Sequence, residues 1–188
     1  MKPLLALLLC LVPAWSQVAK KAALARATPG TQTKKVEKSV RVSLAELKTL
    51  EQDFNSRLAG LAGMDEPVEL MGDTRGVQLE DYGIVVTSEV SLVVTPGVMP
   101  GRPKIPPEMA ARVRKARQER LPLLRATMTD MMRHMAMAFQ QLPASQQLVL
   151  VVRLYYGAWE DTTGMPAQVT MKAARASAAA GKVETEER

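Results

Sequence analysis

Few residues in this chain are of types that do chemistry. The 188 residues include one histidine, His134, and one cysteine, Cys10. One of each cannot make a Cys/His zinc site, a two-histidine metal site or a disulfide. The densest set of possible ligands is Met128, Met131, Met132, His134, Met135 and Met137. Soft thioethers with an imidazole suit Cu(I), so periplasmic copper or metal handling is one reading. Helical geometry weighs against it. At about 100° per residue, Met128, Met131, Met132 and Met135 share one side, while His134 and Met137 point elsewhere. Methionine packs irregular cores well, and core packing is the favoured reading.

Carboxylates are the second possibility. Glu80-Asp81 and Glu160-Asp161 fall at expected turns, and Asp73 falls at another. Two carboxylates held about 5–9 Å apart can run glycoside hydrolysis, and clustered acids can hold a divalent cation. A hydrolase using carboxylates near residues 73–89 is therefore an alternative. Acids also sit at turns for solvation alone. Glu89 and Arg153 are the charges inside the strongest strand patterns, and the expectation for them is a structural ion pair. There is no Gly-rich phosphate loop, no G-x-S-x-G and no internal repeat. A Ser–His triad would need His134, which lies in a helical segment rather than a loop. No catalytic, cofactor-binding or metal residue is assigned.

Charge is segregated along the chain. Lys2, the apolar run from Leu4 to Val12 and the triplet Ala14-Trp15-Ser16 form a secretory signal pattern, with cleavage expected after Ser16. The run is too short for a span of about 20 residues, so no transmembrane segment is expected after cleavage. Cys10 would leave with the signal. Residues 17–42 hold seven basic residues and one acid, and read as a disordered basic tail or linker. Residues 43–101 hold ten acids and three basic residues, and 102–125 hold eight basic residues and two acids. Within that second block, Arg112, Arg114, Lys115, Arg117 and Arg120 read as a solvated face complementary to the acidic middle.

The elements that must position these groups follow from pattern. Ser43 with Glu46 three residues on is a capping box. Leu44, Leu47, Leu50, Phe54, Leu58 and Leu61 then form one helical stripe. Strands are expected at 67–71, 76–80 and, most strongly, 83–95. Residues 96–107 hold five prolines and two glycines, which excludes helix and central strand. A long helix is expected from Pro107 to about Gln141, kinked or broken at Pro122. Gln147–Tyr156 reads as a strand buried on both faces, parallel to the 83–95 strand across the helical crossover. Residues 168–171 read as a short edge strand, 173–180 as a short helix and 182–188 as a frayed end.

The expected fold class is α+β, a two-layer domain over residues 43–181. Its sheet is mixed but mostly antiparallel, with four to five strands. An N-terminal helix and a long Pro-kinked central helix pack on it. The expected role is a non-enzymatic binding or interaction domain, exported to the bacterial envelope or exterior. Its partner would be another envelope protein, or an anionic envelope component held by the basic segments. Nucleic acid is not expected, because seven aromatics in all offer little stacking.

Overall fold

The structure, a computed structural model, describes residues 40–61, 63, 67–95 and 105–188. The expected signal peptide, most of the basic tail and most of the Pro-rich loop lie outside the described residues.

Helix α1, Leu44–Ala59, starts where the capping box puts it. The Ser43 hydroxyl accepts from the Glu46 backbone N–H, and the Glu46 carboxylate accepts from the Ser43 N–H at 2.8 Å. Leu47, Leu50, Phe54 and Leu58 are buried, as is Val42 ahead of the cap. Leu44 was expected in the same stripe but is exposed.

Strands β1 (Glu69–Leu70), β2 (Arg75–Leu79) and β3 (Gly83–Ser91) follow. Both β1 and β2 pair antiparallel with β3, at its two ends. Helix α2, Pro107–Ala138, carries the chain over to β4, Gln147–Leu154, which lies parallel to β3. Strand β5 (Gln168–Ala174) pairs antiparallel with β4, then α3 (Arg175–Ala179) leads to β6 (Glu184–Glu187), antiparallel to β5. The sheet is six-stranded, in the order β1-β3-β4-β5-β6 with β2 beside β3. The mixed, mostly antiparallel two-layer α+β architecture is thus the observed one.

Helix α2 runs through Pro122 without a break. Pro122 is solvent-facing, so water can satisfy the carbonyl that loses its donor. Its apolar side, Leu121, Leu124, Met128, Met131, Met132 and Met135, is buried in the core with Ile84, Val86, Leu148, Leu150, Val169 and Met171. The four thioethers of the Met-rich run are therefore core.

Three C-terminal expectations are corrected. The strand expected at an edge, β5, lies inside the sheet between β4 and β6, because the C-terminal residues add a strand beyond it. Residues 173–174 extend β5, pairing with Leu148 and Gln147, and only five residues form α3. Residues 182–188 do not fray. Glu184–Glu187 joins the sheet, the Gln168 N–H donates to the Arg188 carbonyl and the Arg188 N–H returns to Gln168. Arg125 on α2 grips the Glu187 carboxylate with two bonds, of 2.5 and 2.8 Å.

The parallel β3–β4 pair depends on one glycine. Gly83 has φ of 140°, and a Cβ there would fall 1.8 Å from the Gln147 carbonyl oxygen. Next to it, the Gln147 N–H donates to the Tyr82 carbonyl at 2.7 Å. The close approach sets the register in which Ile84 faces Leu148 and Glu89 faces Arg153.

Candidate functional site

Helix α2 is longer than the sheet it covers. Thirty-two residues span about 48 Å, while the eight of β4 span about 26 Å. The head of α2 therefore overhangs, and arginines hold it. The buried stripe runs back from Leu124 through Leu121 and Arg120 to Arg117 and Val113. Charge at two of those positions hid this continuation of the apolar spacing.

Arg117 and Glu160 form the centre of the site. Their side chains are 2% and 5% exposed. Arg117 donates from Nε and Nη2 to the two Glu160 oxygens, at 2.5 and 2.8 Å, and Nη2 also reaches the Ser91 hydroxyl at 3.3 Å. The guanidinium lies 4.8 Å from the centre of the Tyr156 ring, within cation–π range. Glu160 is fixed in turn by the Gly157 N–H at 2.7 Å. Arg117 Nη1 is buried and has no hydrogen-bond partner.

One turn earlier, Arg114 donates to the Asp161 carboxylate and carbonyl and to the Thr163 carbonyl. One turn later, Arg120 donates to the Leu92 carbonyl. The expectation of a solvated basic face is thus corrected: Arg117 and Arg120 are buried, and the acids that Arg114 and Arg117 meet come from the 157–166 loop. The pair Glu160-Asp161, weighed as catalytic or solvated, serves to anchor this helix. Hydrogen bonds from Thr163 hold the Asp161 carboxyl below its ordinary range. Burial pushes the Tyr156 phenol up, opposed by Arg117, while its hydroxyl donates to the Pro166 carbonyl at 2.7 Å. Between the loop and the helix head lies a pocket of about 250 Å³.

The other carboxylates stay apart. Asp73 pairs with exposed Arg75 at 3.3 Å. Glu80 and Asp81 sit in the β2–β3 turn, where Asp81 adopts a left-handed φ of 59°, and they border a second hollow with Arg41, Val42 and Gln78. Glu89 and Arg153 do face each other, but at 4.0 Å and well exposed, a geometry worth little. His134 lies 3.6 Å from Asp53 on α1, which Arg57 also holds, and the buried thioethers point away from it into the core.

The sheet itself offers the second candidate surface. Alternation puts Ile84, Val86, Leu148 and Leu150 toward the helices, and their neighbours on the opposite face. In register, Val77, Val85, Val149, Lys172 and Glu184 cross that opposite face as one row. Arg75, Thr87, Val151, Thr170 and Glu186 form the next. Val77 and Leu79 are 51% and 44% exposed. Among the described residues the helices pack only on the other side, the side of the core cluster. The outer edge of β2 is closed. Glu51 of α1 accepts the Gly76 N–H at 2.7 Å, and Gln78 brackets the Val42 N–H and the Val40 carbonyl. This blocks strand addition at the β2 edge.

Among the described residues no helix is long and apolar enough to cross a membrane. Comparisons of the chain with protein-family models, with curated proteins and with solved structures gave no match.

Proposed function

We propose that this is an exported bacterial protein that acts without catalysis, as an interaction domain of the cell envelope or exterior. It docks another protein on the sheet face that no described helix covers. The observation that carries this reading is the make-up of that face. Exposed Val77 and half-buried Val85 and Val151 lie toward β2–β4 around the buried Val149, and charges of both signs, Arg75, Glu89, Arg153, Lys172, Glu184 and Glu186, surround them. An apolar centre inside a mixed polar rim is the anatomy of a protein–protein interface. Mixed charge gives no net pull toward a polyanion or an anionic membrane, which favours a protein over an anionic envelope component at this surface. The face measures on the order of 600 Å² from strand spacing and rise, close to the roughly 800 Å² that one side of a stable interface buries.

Export is tested by the mass of the protein recovered outside the cytoplasm, which should correspond to a chain beginning at Gln17. Docking is tested by native size after gentle extraction. The wild-type protein should run well above the mass of one chain, which is at most 20.5 kDa with residues 1–16 included, and the Val77→Lys/Val151→Lys variant should run as a free, folded chain. Wild-type protein that runs at chain size, or full-length protein confined to the cytosol, overturns the reading.

A further inference from the structure

The sheet face opposite the described helices is complementary to itself. Its side chains stand in three rows across β3 and β4: Val85 beside Val149, Thr87 beside Val151, and Glu89 beside Arg153. Strand β2 adds Val77 and Arg75 to the first two rows on one side, and β5 adds Lys172 and Thr170 on the other. The acid of the third row is on β3 and the base is on β4. Their side chains are 44% and 69% exposed and 4.0 Å apart, so neither is used up by the other. A two-fold axis in the plane of contact, along the seam between β3 and β4, sets each strand over the other strand of a facing copy. Every row then meets itself reversed. Glu89 falls on the partner's Arg153, and Arg153 on the partner's Glu89. Val85 meets the partner's Val149, and Lys172 lays its aliphatic stem over the partner's Val77 with its ammonium at the margin. Strand β6, with Glu184 and Glu186, falls outside the overlap. An axis across the strands through the Thr87–Val151 row would instead set Glu89 on valine and Arg153 on valine, which strands both charges.

We infer that the protein docked on this face is a second copy of the chain, in a two-fold dimer whose axis runs along the β3–β4 seam. The inference rests on the reading that the face docks a protein, and it names that protein. Two-fold pairs are the commonest assembly of a single chain, and they require one patch that matches itself. Sheets packed face to face lie about 10 Å apart with strands within about 30° of each other. Over the roughly 13 Å of strand between the first and third rows, that angle keeps each row within side-chain reach of its counterpart. The four overlapping strands cover on the order of 500 Å² in each copy, from strand spacing and rise. The total of about 1,000 Å² lies at the lower bound of a specific interface, so the dimer is a weak one, with a dissociation constant in the micromolar range.

Charge reversal tests the pairing. Sedimentation equilibrium of the purified protein, in the form the cell keeps, should show monomer and dimer exchanging between about 1 and 100 µM. Glu89→Arg and Arg153→Glu each set like charges face to face twice in the dimer, and each should weaken association at least about tenfold. Both sites are exposed, so each variant should melt within a few degrees of wild type. An equimolar mixture of the two variants should dimerise again, because each reversed charge then meets its opposite. Three results overturn the inference: wild-type protein that stays monomeric at about 100 µM, single variants that dimerise as well as wild type, or a mixture that associates no better than its components. The first of these needs no variant. Docking and self-pairing also fail separately. Pure protein that is monomeric, while protein gently extracted from the envelope runs large and the Val77→Lys/Val151→Lys variant does not, overturns the second copy and supports a different protein on the same face.

Discussion

The Arg117–Glu160 pair is the most sensitive point in the fold, and its burial sets the size of the effect. Both side chains are at least nine-tenths covered, so solvent screening gives little relief when one partner is lost. Glu160→Met leaves the guanidinium buried without a counter-charge, and Arg117→Met leaves the carboxylate so. Each should cost about 3–5 kcal/mol. In a domain of this size that lowers the melting temperature by about 10 °C. Removing both charges, as Arg117→Met/Glu160→Met, removes the desolvation penalty together with the attraction, and should cost far less than the sum of the single losses. Urea unfolding of the four proteins gives the cycle, with an expected coupling of about 3 kcal/mol. The exposed Arg133–Asp130 pair at 3.1 Å is the control, and it should couple by less than about 1 kcal/mol. A coupling for Arg117–Glu160 as small as the control's would refute the claim that this pair anchors the head of α2.

Other consequences can be measured the same way. Gly83→Ala places a methyl against the Gln147 carbonyl and should destabilise by several kcal/mol, about 3 or more, visible as a lost or strongly shifted urea transition. Ser43→Ala removes the acceptor for the Glu46 N–H and should cost about 1 kcal/mol in the same assay. Acid should weaken the fold through three carboxyls held low: Glu46 by hydrogen bonds from Ser43, Asp161 by Thr163 and Glu187 by Arg125. A carboxyl lowered in the folded state stabilises above its unfolded pKa, and that stabilisation is lost as pH falls through the folded value. The melting temperature should therefore drop below about pH 4, and Glu187→Gln should make the drop shallower.

The sequence showed this architecture wherever apolar spacing was uninterrupted. The capping box at Ser43, the Leu47–Leu58 stripe, the strand expected at 83–95, which ends at Ser91, and the methionine side of α2 all follow from period and punctuation, and the parallel crossover follows from a helix joining two long apolar strands. The site was hidden because its residues break that code. Arg117 and Arg120 occupy core positions but read as solvent-facing. The acid that neutralises Arg117 lies 43 residues on, in a loop with no periodicity. The spacing from Leu124 back to Val113 was the available signal, since it puts both arginines on the buried side. Strand β6 was illegible for another reason. Glu-Thr-Glu-Glu has no apolar alternation, and its order comes from pairing with β5 and from Arg125. The alanines at 173–174 fit helix and strand alike, and pairing with β4 decides between them.

We propose that the sheet face opposite the described helices docks another protein. Position-specific photo-cross-linking in the native envelope tests it most directly. A photoreactive side chain at Val151, in the centre of the face, should give one discrete cross-linked product whose mass identifies the partner, a second copy of the chain included. The same group at Leu123, exposed on α2, should give none. A product from Leu123 alone, or none from Val151, would contradict the account.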